Sequence, residues 1–352
     1  MERIKKLGIR LSKGVLNSLV ISVLTFILCI TIPFSPSWSA DPPVKQRVAY
    51  GVISNAVTPL WVAQDQGLFR KYGLDTDLVF IIAGTATQAM LAGQVSFGLL
   101  AINNVVNAVS GGGDLAMVLG FLNTLDYLFV ARSSIKTVEE LKGKRVAIGT
   151  PSGVPVLMTY MVLDRHGLNP KRDNIVLLQI GSVPARMAAL RAGSVDATSL
   201  PPELSQEIAR ERFNVLFDAA KENVPYQSTG LVMSRKLKQS HPQLVENMAK
   251  ALIEAVAFIH NPSNKKQVEG TLAKYLKLSR PELVEQAYQT LLKALPRKSC
   301  PSTKGTALVL KLMGQYGINP KAVQLGPDDV LDMSLCQKLE ESGFFERLYQ
   351  GP

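Results

Sequence analysis

The chain has 352 residues, enough for about two domains, and its 47% hydrophobic and 19% charged content excludes a disordered chain. The formal charge is +11. Beyond the first forty residues the Lys and Arg residues are spread along the chain, with no basic block and no interleaved aromatics, which argues against a nucleic-acid partner.

Arg3, Lys5, Lys6, Arg10 and Lys13 precede an apolar run over 15–32, then "PFSPSWSA" and the polar "DPPVKQ". A basic head, an apolar centre and small residues before a polar start predict a secretory signal peptide over 1–40. The cut falls after Ser39 or after Ala40. An uncleaved anchor is the alternative, because the run nearly spans a bilayer. Cys29 follows Phe-Ile-Leu and lacks the small residue expected before a lipidated cysteine. Removing this segment takes away five basic residues and one acidic one, leaving +7. Cys300 and Cys336 remain; in an exported chain they either form a disulfide or stay as two buried thiols.

From residue 46 onward, apolar runs alternate with helical patterns. "VAYGVI" (48–53) and "DTDLVFII" (75–82) read as strands, with a broken helix from Thr58 and Pro59 between them. "GTATQAMLAG" (84–93) reads as a helix boxed by Thr85 and Gln88, "VSFGLL" (95–100) as a strand, and "NNVVNAV" (103–109) as a helix capped by Asn103. "LAMVLG" and "YLFVAR" are further strands. A second set follows: a short helix boxed by Thr137 and Glu140, strand 145–149, helix 152–167, strand 175–180, a helix over 183–193 capped by Ser182, and strands 195–200, 213–218 and 228–235. Strands alternating with helices imply crossover units and a largely parallel sheet. "YGLD" (72–75) and "AGQVSF" (92–97) echo "HGLN" (166–169) and "AGSVDA" (192–197) in the same strand–helix–strand order, so two similar α/β lobes are predicted. After 236 only helices follow. Two of them are boxed by Ser240 with Gln243 and by Ser279 with Glu282, and they are expected to cover a lobe already formed.

No HExxH, CxxC, G-x-S-x-G or GxxxxGK[ST] motif occurs, which removes the common metal, nucleophile and phosphate-loop chemistries. His166, His241 and His260 are dispersed and read as structural. The recurring feature is a loop of Ser, Thr, Asn and Gly between a strand's carboxyl end and a helix start: 54–58, 84–85, 103–104, 150–153, 181–182 and 201–203. Ligands bind at this end of open α/β sheets, where helix N–H groups are free. The candidate ligand-binding residues are Asn55, Thr58, Gly84, Thr85, Asn103, Asn104, Ser152, Gly153 and Ser182. Asn123, with Asp126, lies before the first crossing between lobes and either meets the ligand or makes a turn. Glu203 either meets a ligand amine or hydroxyl or is an ordinary first-turn acid. The nominated loops carry no Lys or Arg, so main-chain N–H groups and Ser, Thr and Asn side chains would hold an anion.

Pro59, Leu60 and Ala63, then Gly67 and Phe69, then Gly73 and Leu74, with "LAGQVSFG", "IKTVEELKGKRVAI" and "RAGSVDA", resemble the periplasmic solute-binding proteins of ABC importers, in their nitrate/sulfonate/taurine-type branch. The match covers 47–235. Ser96 departs from it, standing where that family usually has Asp; Asp196 keeps the place in the second lobe. The resemblance implies a type 2 periplasmic-binding-protein fold: two Rossmann-like lobes joined by two hinge strands, with the helical C-terminal extension on lobe one. It also implies a monomeric periplasmic receptor without enzyme activity or cofactor, which closes on a small polar or anionic organic ligand and passes it to a membrane permease and its ATPase. Lobe one is expected over 46–131 plus 231–352 and lobe two over 135–227, with the hinge near 132–135 and 227–231. Two alternatives stand beside this: a sensory receptor for a membrane kinase or chemoreceptor, and an enzyme resembling a thiamine-pyrimidine synthase. That enzyme's cysteine-rich motif and key histidine are absent here.

Overall fold

The computed structural model describes residues 44–350 except 126 and 150–152; the signal-peptide prediction lies outside these residues. In chain order the strands and principal helices are β1 (Val44–Tyr50), α1 (Thr58–Asp65), β2 (Leu74–Phe80), α2 (Ala83–Leu91), β3 (Phe97–Ala101), α3 (Ile102–Ser110), β4 (Ala116–Gly120) and β5 (Leu128–Ala131). Next come β6 (Arg145–Ile148), α4 (Val154–Arg165), β7 (Val176–Gln179), α5 (Val183–Ala192), β8 (Ala197–Leu200), α6 (Ser205–Arg210), β9 (Asn214–Asp218) and β10 (Thr229–Met233). The remainder is α7 (Pro242–His260), α8 (Lys265–Leu276), α9 (Pro281–Ala294), α10 (Thr303–Gln315) and α11 (Ser334–Glu341).

Two five-stranded sheets form, in the orders β2-β1-β3-β10-β4 and β7-β6-β8-β5-β9. In each, three parallel strands built by crossover helices are followed by two antiparallel pairings. The echo noted in the sequence is structural. Val48 of β1 pairs with Phe97 of β3, as Val146 of β6 pairs with Ala197 of β8. Gly73 and Gly167 both take positive φ after their helices, and so do Gly93 and Gly193 (φ 71 and 68). Glycine alone enters this region without a Cβ penalty, which explains why the helix stops recur as Gly.

Strand β5 overturns the predicted boundary at 131. It pairs antiparallel with β8 and β9 in the second sheet, so lobe two starts before it. A buried apolar strand looks the same whichever sheet it joins, and "YLFVAR" gave no cue. The crossings are accordingly 121–127 and 219–228, not 132–135 and 227–231. They run antiparallel to each other: the N–H groups of Leu125, Tyr226 and Ser228 donate to the carbonyls of Val224, Asn123 and Leu122, and Thr124 bridges Pro225. The two lobes are therefore joined by a two-stranded ribbon.

Several predicted caps are also corrected. Helix α2 starts at Ala83 and α3 at Ile102, one residue ahead of the predicted starts, and neither Thr85 nor Asn103 is a cap. Helices α7 and α9 begin on Pro242 and Pro281 without side-chain caps from Ser240 or Ser279, because proline at a first-turn position already fixes φ and needs no donor satisfied. Ser182 does cap α5, accepting from the N–H of Ala185.

The helical tail covers sheet one. Val245, Met248, Leu252 and Val256 of α7 share a core with Trp61 and Val62 of α1, Leu99 of β3 and Leu231 of β10. The Trp61 ring stacks on Tyr275 of α8 at 4.9 Å. Asp65 accepts from Thr271, Lys274 and Tyr275, which fastens α8 to α1. Cys300 and Cys336 form a disulfide with a Cα–Cα distance of 5.6 Å, tying the segment before α10 to α11.

Candidate ligand-binding site

Between the carboxyl ends of the two sheets lies a cleft of about 750 Å³, within the range of small-molecule sites. Lobe one contributes Ser54, Asn55 and Ala56, then Ala83 at the start of α2, then Asn103 and Asn104 in the first turn of α3. Lobe two contributes Gly153 and Val154 at the start of α4, Val183 at the start of α5, and Pro201, Pro202 and Leu204 after β8. Both lobes thus present strand ends and helix starts, where N–H groups and the helix dipole favour ligand oxygens.

The ribbon forms the back wall. Leu122, Thr124, Tyr226 and Ser228 line the cleft, whereas the intervening Asn123 and Gln227 point the other way. Asn123 donates from Nδ2 to the carbonyl of Cys300 at 2.7 Å, and Gln227 Oε1 accepts from the N–H of Ser302 at 2.6 Å. This is the two-residue alternation of an extended chain, and it gives the ribbon a cleft face and a rear face.

The predicted site residues divide accordingly. Asn55, Asn103, Asn104 and Gly153 line the cleft. Asn55 is held by donating from Nδ2 to the carbonyl of Ala287 in α9 at 3.0 Å, and its Oδ1 is buried without a partner. Thr58 does not line it; it is fully buried beneath the first loop. Gly84, Thr85 and Ser182 are exposed beside the lining residues Ala83 and Val183; α2 starts one residue earlier than predicted, at Ala83, whereas Ser182 stands where it was predicted, as the cap of α5. Asn123 faces the rear of the ribbon. Ser152 and Asp126 lie outside the described residues. Glu203 sits in the short turn Pro202–Leu204, between two lining residues.

The sequence reading missed Tyr127, Tyr226 and, from α9, Thr290, Leu291 and Ala294, all of which line the cleft. It had assigned the tail only to covering lobe one. It also missed Arg186, which is 1% exposed. Its Nε donates to the carbonyl of Ser199, and its Nη1 donates to those of Ile180 and Gly181. It thereby ties together the cleft-side ends of β7 and β8. Burial pushes its guanidinium below the ordinary value and pushes the Tyr226 hydroxyl above its own. The one available signal is an arginine in the first turn of a helix whose only other charged residue is Arg191, at its far end. Among the described lining residues none is charged, so the wall offers amides, hydroxyls and apolar surface. Among the described residues no group of three or more His, Cys, Asp or Glu is placed to hold a metal.

The sequence model of the family described as "NMT1/THI5 like" matches residues 54–265, from the first cleft loop through both sheets. The chain belongs to the NMT1/THI5-like family. This NMT1/THI5-like protein is 27% identical over 229 residues to the Bacillus subtilis "Putative binding protein YtlA", covering 63% of this chain and 68% of that one. Among solved structures, it is similar to the alkanesulfonate-binding protein SsuA from Xanthomonas axonopodis pv. citri bound to MOPS, with TM-score 0.59 and 22% identity over 80% of this chain and 96% of that chain. It is also similar to the periplasmic nitrate-binding protein NrtA from Synechocystis PCC 6803, with TM-score 0.66 and 13% identity over 85% and 89%. These likenesses establish the two-lobed periplasmic-binding-protein fold. The relatives are binding proteins, and in the described part of this NMT1/THI5-like protein no helix is long and apolar enough to cross a membrane.

Proposed function

We propose that the protein is an extracytoplasmic receptor that takes a small polar or anionic organic molecule into the cleft and delivers it to the permease and ATPase of an ABC importer. One observation carries this reading. Helix starts from both sheets converge on one cleft, and among the described residues the covalent links between the sheets are the two paired crossings that form its back wall. A ligand in such a cleft touches both lobes, so it stabilises the form in which they approach. Binding and release by this motion need no bond-breaking step, and the protein acts without turnover. The disulfide fits an oxidising compartment, and the N-terminal segment is the export signal.

The test is native mass spectrometry of exported protein, to catch a co-purified ligand, followed by isothermal titration against small sulfonates, carboxylates and amines. Asn104→Ala on lobe one and Val154→Trp on lobe two should each weaken binding at least tenfold. A ligand bound with unchanged affinity by both variants, or no ligand from either approach, overturns the reading.

A further inference from the structure

Helix α10 was expected to cover lobe one, yet it also reaches lobe two. Its first turn lies against the rear face of the ribbon: a Cβ added to Gly305 would come within 2.4 Å of the backbone of Tyr226. Just beyond its far end the chain is fastened to lobe one, where Asn319 donates to Asn107 Oδ1 at 2.9 Å and to Ser110 Oγ at 2.7 Å, both on α3. That same end grips α4 of lobe two. Asp164 accepts from Lys311 Nζ at 3.0 Å, Gln315 Nε2 at 3.0 Å and the Tyr316 hydroxyl at 3.2 Å. The Tyr160 and Tyr316 rings stack with centroids 4.0 Å apart.

The position of this cluster fixes what it opposes. Helix α4 starts in the cleft at Val154 and runs 12 residues to Arg165, a rise of about 18 Å. Tyr160 and Asp164, which make its grip on α10, lie about 9 and 15 Å along it from the cleft end, and α10 begins behind the ribbon. Bending at the ribbon to bring the lobes together in front draws α4 away from α10 behind. Three hydrogen bonds to one carboxylate and a ring stack must then loosen or slide. Contacts made in one lobe arrangement and lost in the other bias the equilibrium by their own free energy, and they lower apparent ligand affinity by the same factor.

We propose that Asp164, with Lys311, Gln315, Tyr316 and Tyr160, forms a latch behind the ribbon that holds the lobes apart and so sets how tightly the cleft binds. The proposal rests on the lobe-closure reading above, and it regulates that same site.

The test needs no ligand. Spin labels are placed on the two cleft rims through Ile82→Cys and Ala185→Cys in the full chain, with Cys29→Ser and the native disulfide kept. Electron–electron double resonance then gives the distance distribution across the cleft. Asp164→Ala and Tyr316→Ala are expected to raise the short-distance population at least threefold, while Lys304→Ala, on the same helix but away from α4, leaves it unchanged. Should either alanine variant fail to give the parent circular dichroism spectrum, Tyr316→Phe, which removes one hydrogen bond and keeps the ring, is expected to give a smaller shift in the same direction. Unchanged distributions, or a shift to longer distances, overturn the latch. That result would leave the ligand titration of the preceding section standing, and the absence of any ligand there would leave this measurement readable.

Discussion

Asn123 holds the carbonyl oxygen of Cys300 at 2.7 Å across the rear of the ribbon. The next contacts on that face repeat the theme: the N–H of Gly120 donates to the carbonyl of Ser299 and the N–H of Ser302 to Gln227. Residues 299–302 therefore lie across both crossings as a strap. Asn123→Ala removes the side-chain bond and leaves a half-buried carbonyl without it, at a cost of about 1–2 kcal/mol. Thermal melts should show that loss. Equal stability of the variant would mean that the strap does not depend on this bond.

The strap is tied down by the disulfide, whose partners are 36 residues apart. Closing a loop of that length restricts the unfolded chain by roughly 3–4 kcal/mol in the chain-entropy view. The double variant Cys300→Ser with Cys336→Ser is expected to unfold at lower urea concentration by an amount matching that loss. A reductant should move the parent protein to the same midpoint and leave the variant where it is.

Thr58 separates a packing residue from a ligand contact. It is fully buried, and its Oγ1 has no partner. A buried hydroxyl without a partner costs its desolvation, and valine has nearly the same shape. Thr58→Val should stabilise the fold by about 1 kcal/mol and keep ligand affinity within twofold, read by melting and titration on one sample. A tenfold loss of affinity would return Thr58 to the site.

The sequence disclosed most of the fold and four of the residues that line the cleft, for physical reasons. Crossover units, the repeat and the helix stops at Gly73, Gly93, Gly167 and Gly193 follow from period, capping and φ, all of which are local. Asn55, Asn104 and Gly153 were legible because strand ends followed by small polar residues mark the ligand end of such sheets. Which sheet β5 joins is not local, and neither is the alternation that turns Asn123 to the rear while Tyr226 faces the cleft. Arg186 was passed over because burial of a charge is decided by three carbonyls from two other strand ends. The α9 wall was passed over because Asn55 meets Ala287 from 232 residues away.

His260 gives the stability a pH dependence. It ends α7 with Nε2 donating to the Leu295 carbonyl at 3.0 Å, and burial pushes its imidazole below the ordinary value. The folded state prefers the neutral ring more than the unfolded state does. Its contribution is therefore complete above the unfolded value of about 6.5 and declines as pH falls through the lower folded value. The melting temperature should drop between pH 7.5 and 5.5. His260→Gln, which keeps a donor but does not titrate, should flatten that part of the profile; an unchanged slope would place the proton elsewhere.

Strand β10 stands between β3 and β4 in the first sheet, yet it follows all of lobe two in the chain. A growing polypeptide has every strand of the second sheet once Asp218 has been made. The first sheet lacks an interior strand until Met233, and until then the inner edges of β3 and β4 stay unpaired, open to wrong partners. Synthesis order and assembly order are thus reversed: the lobe that begins the sequence is the last to complete its sheet, and it does so on a neighbour already formed.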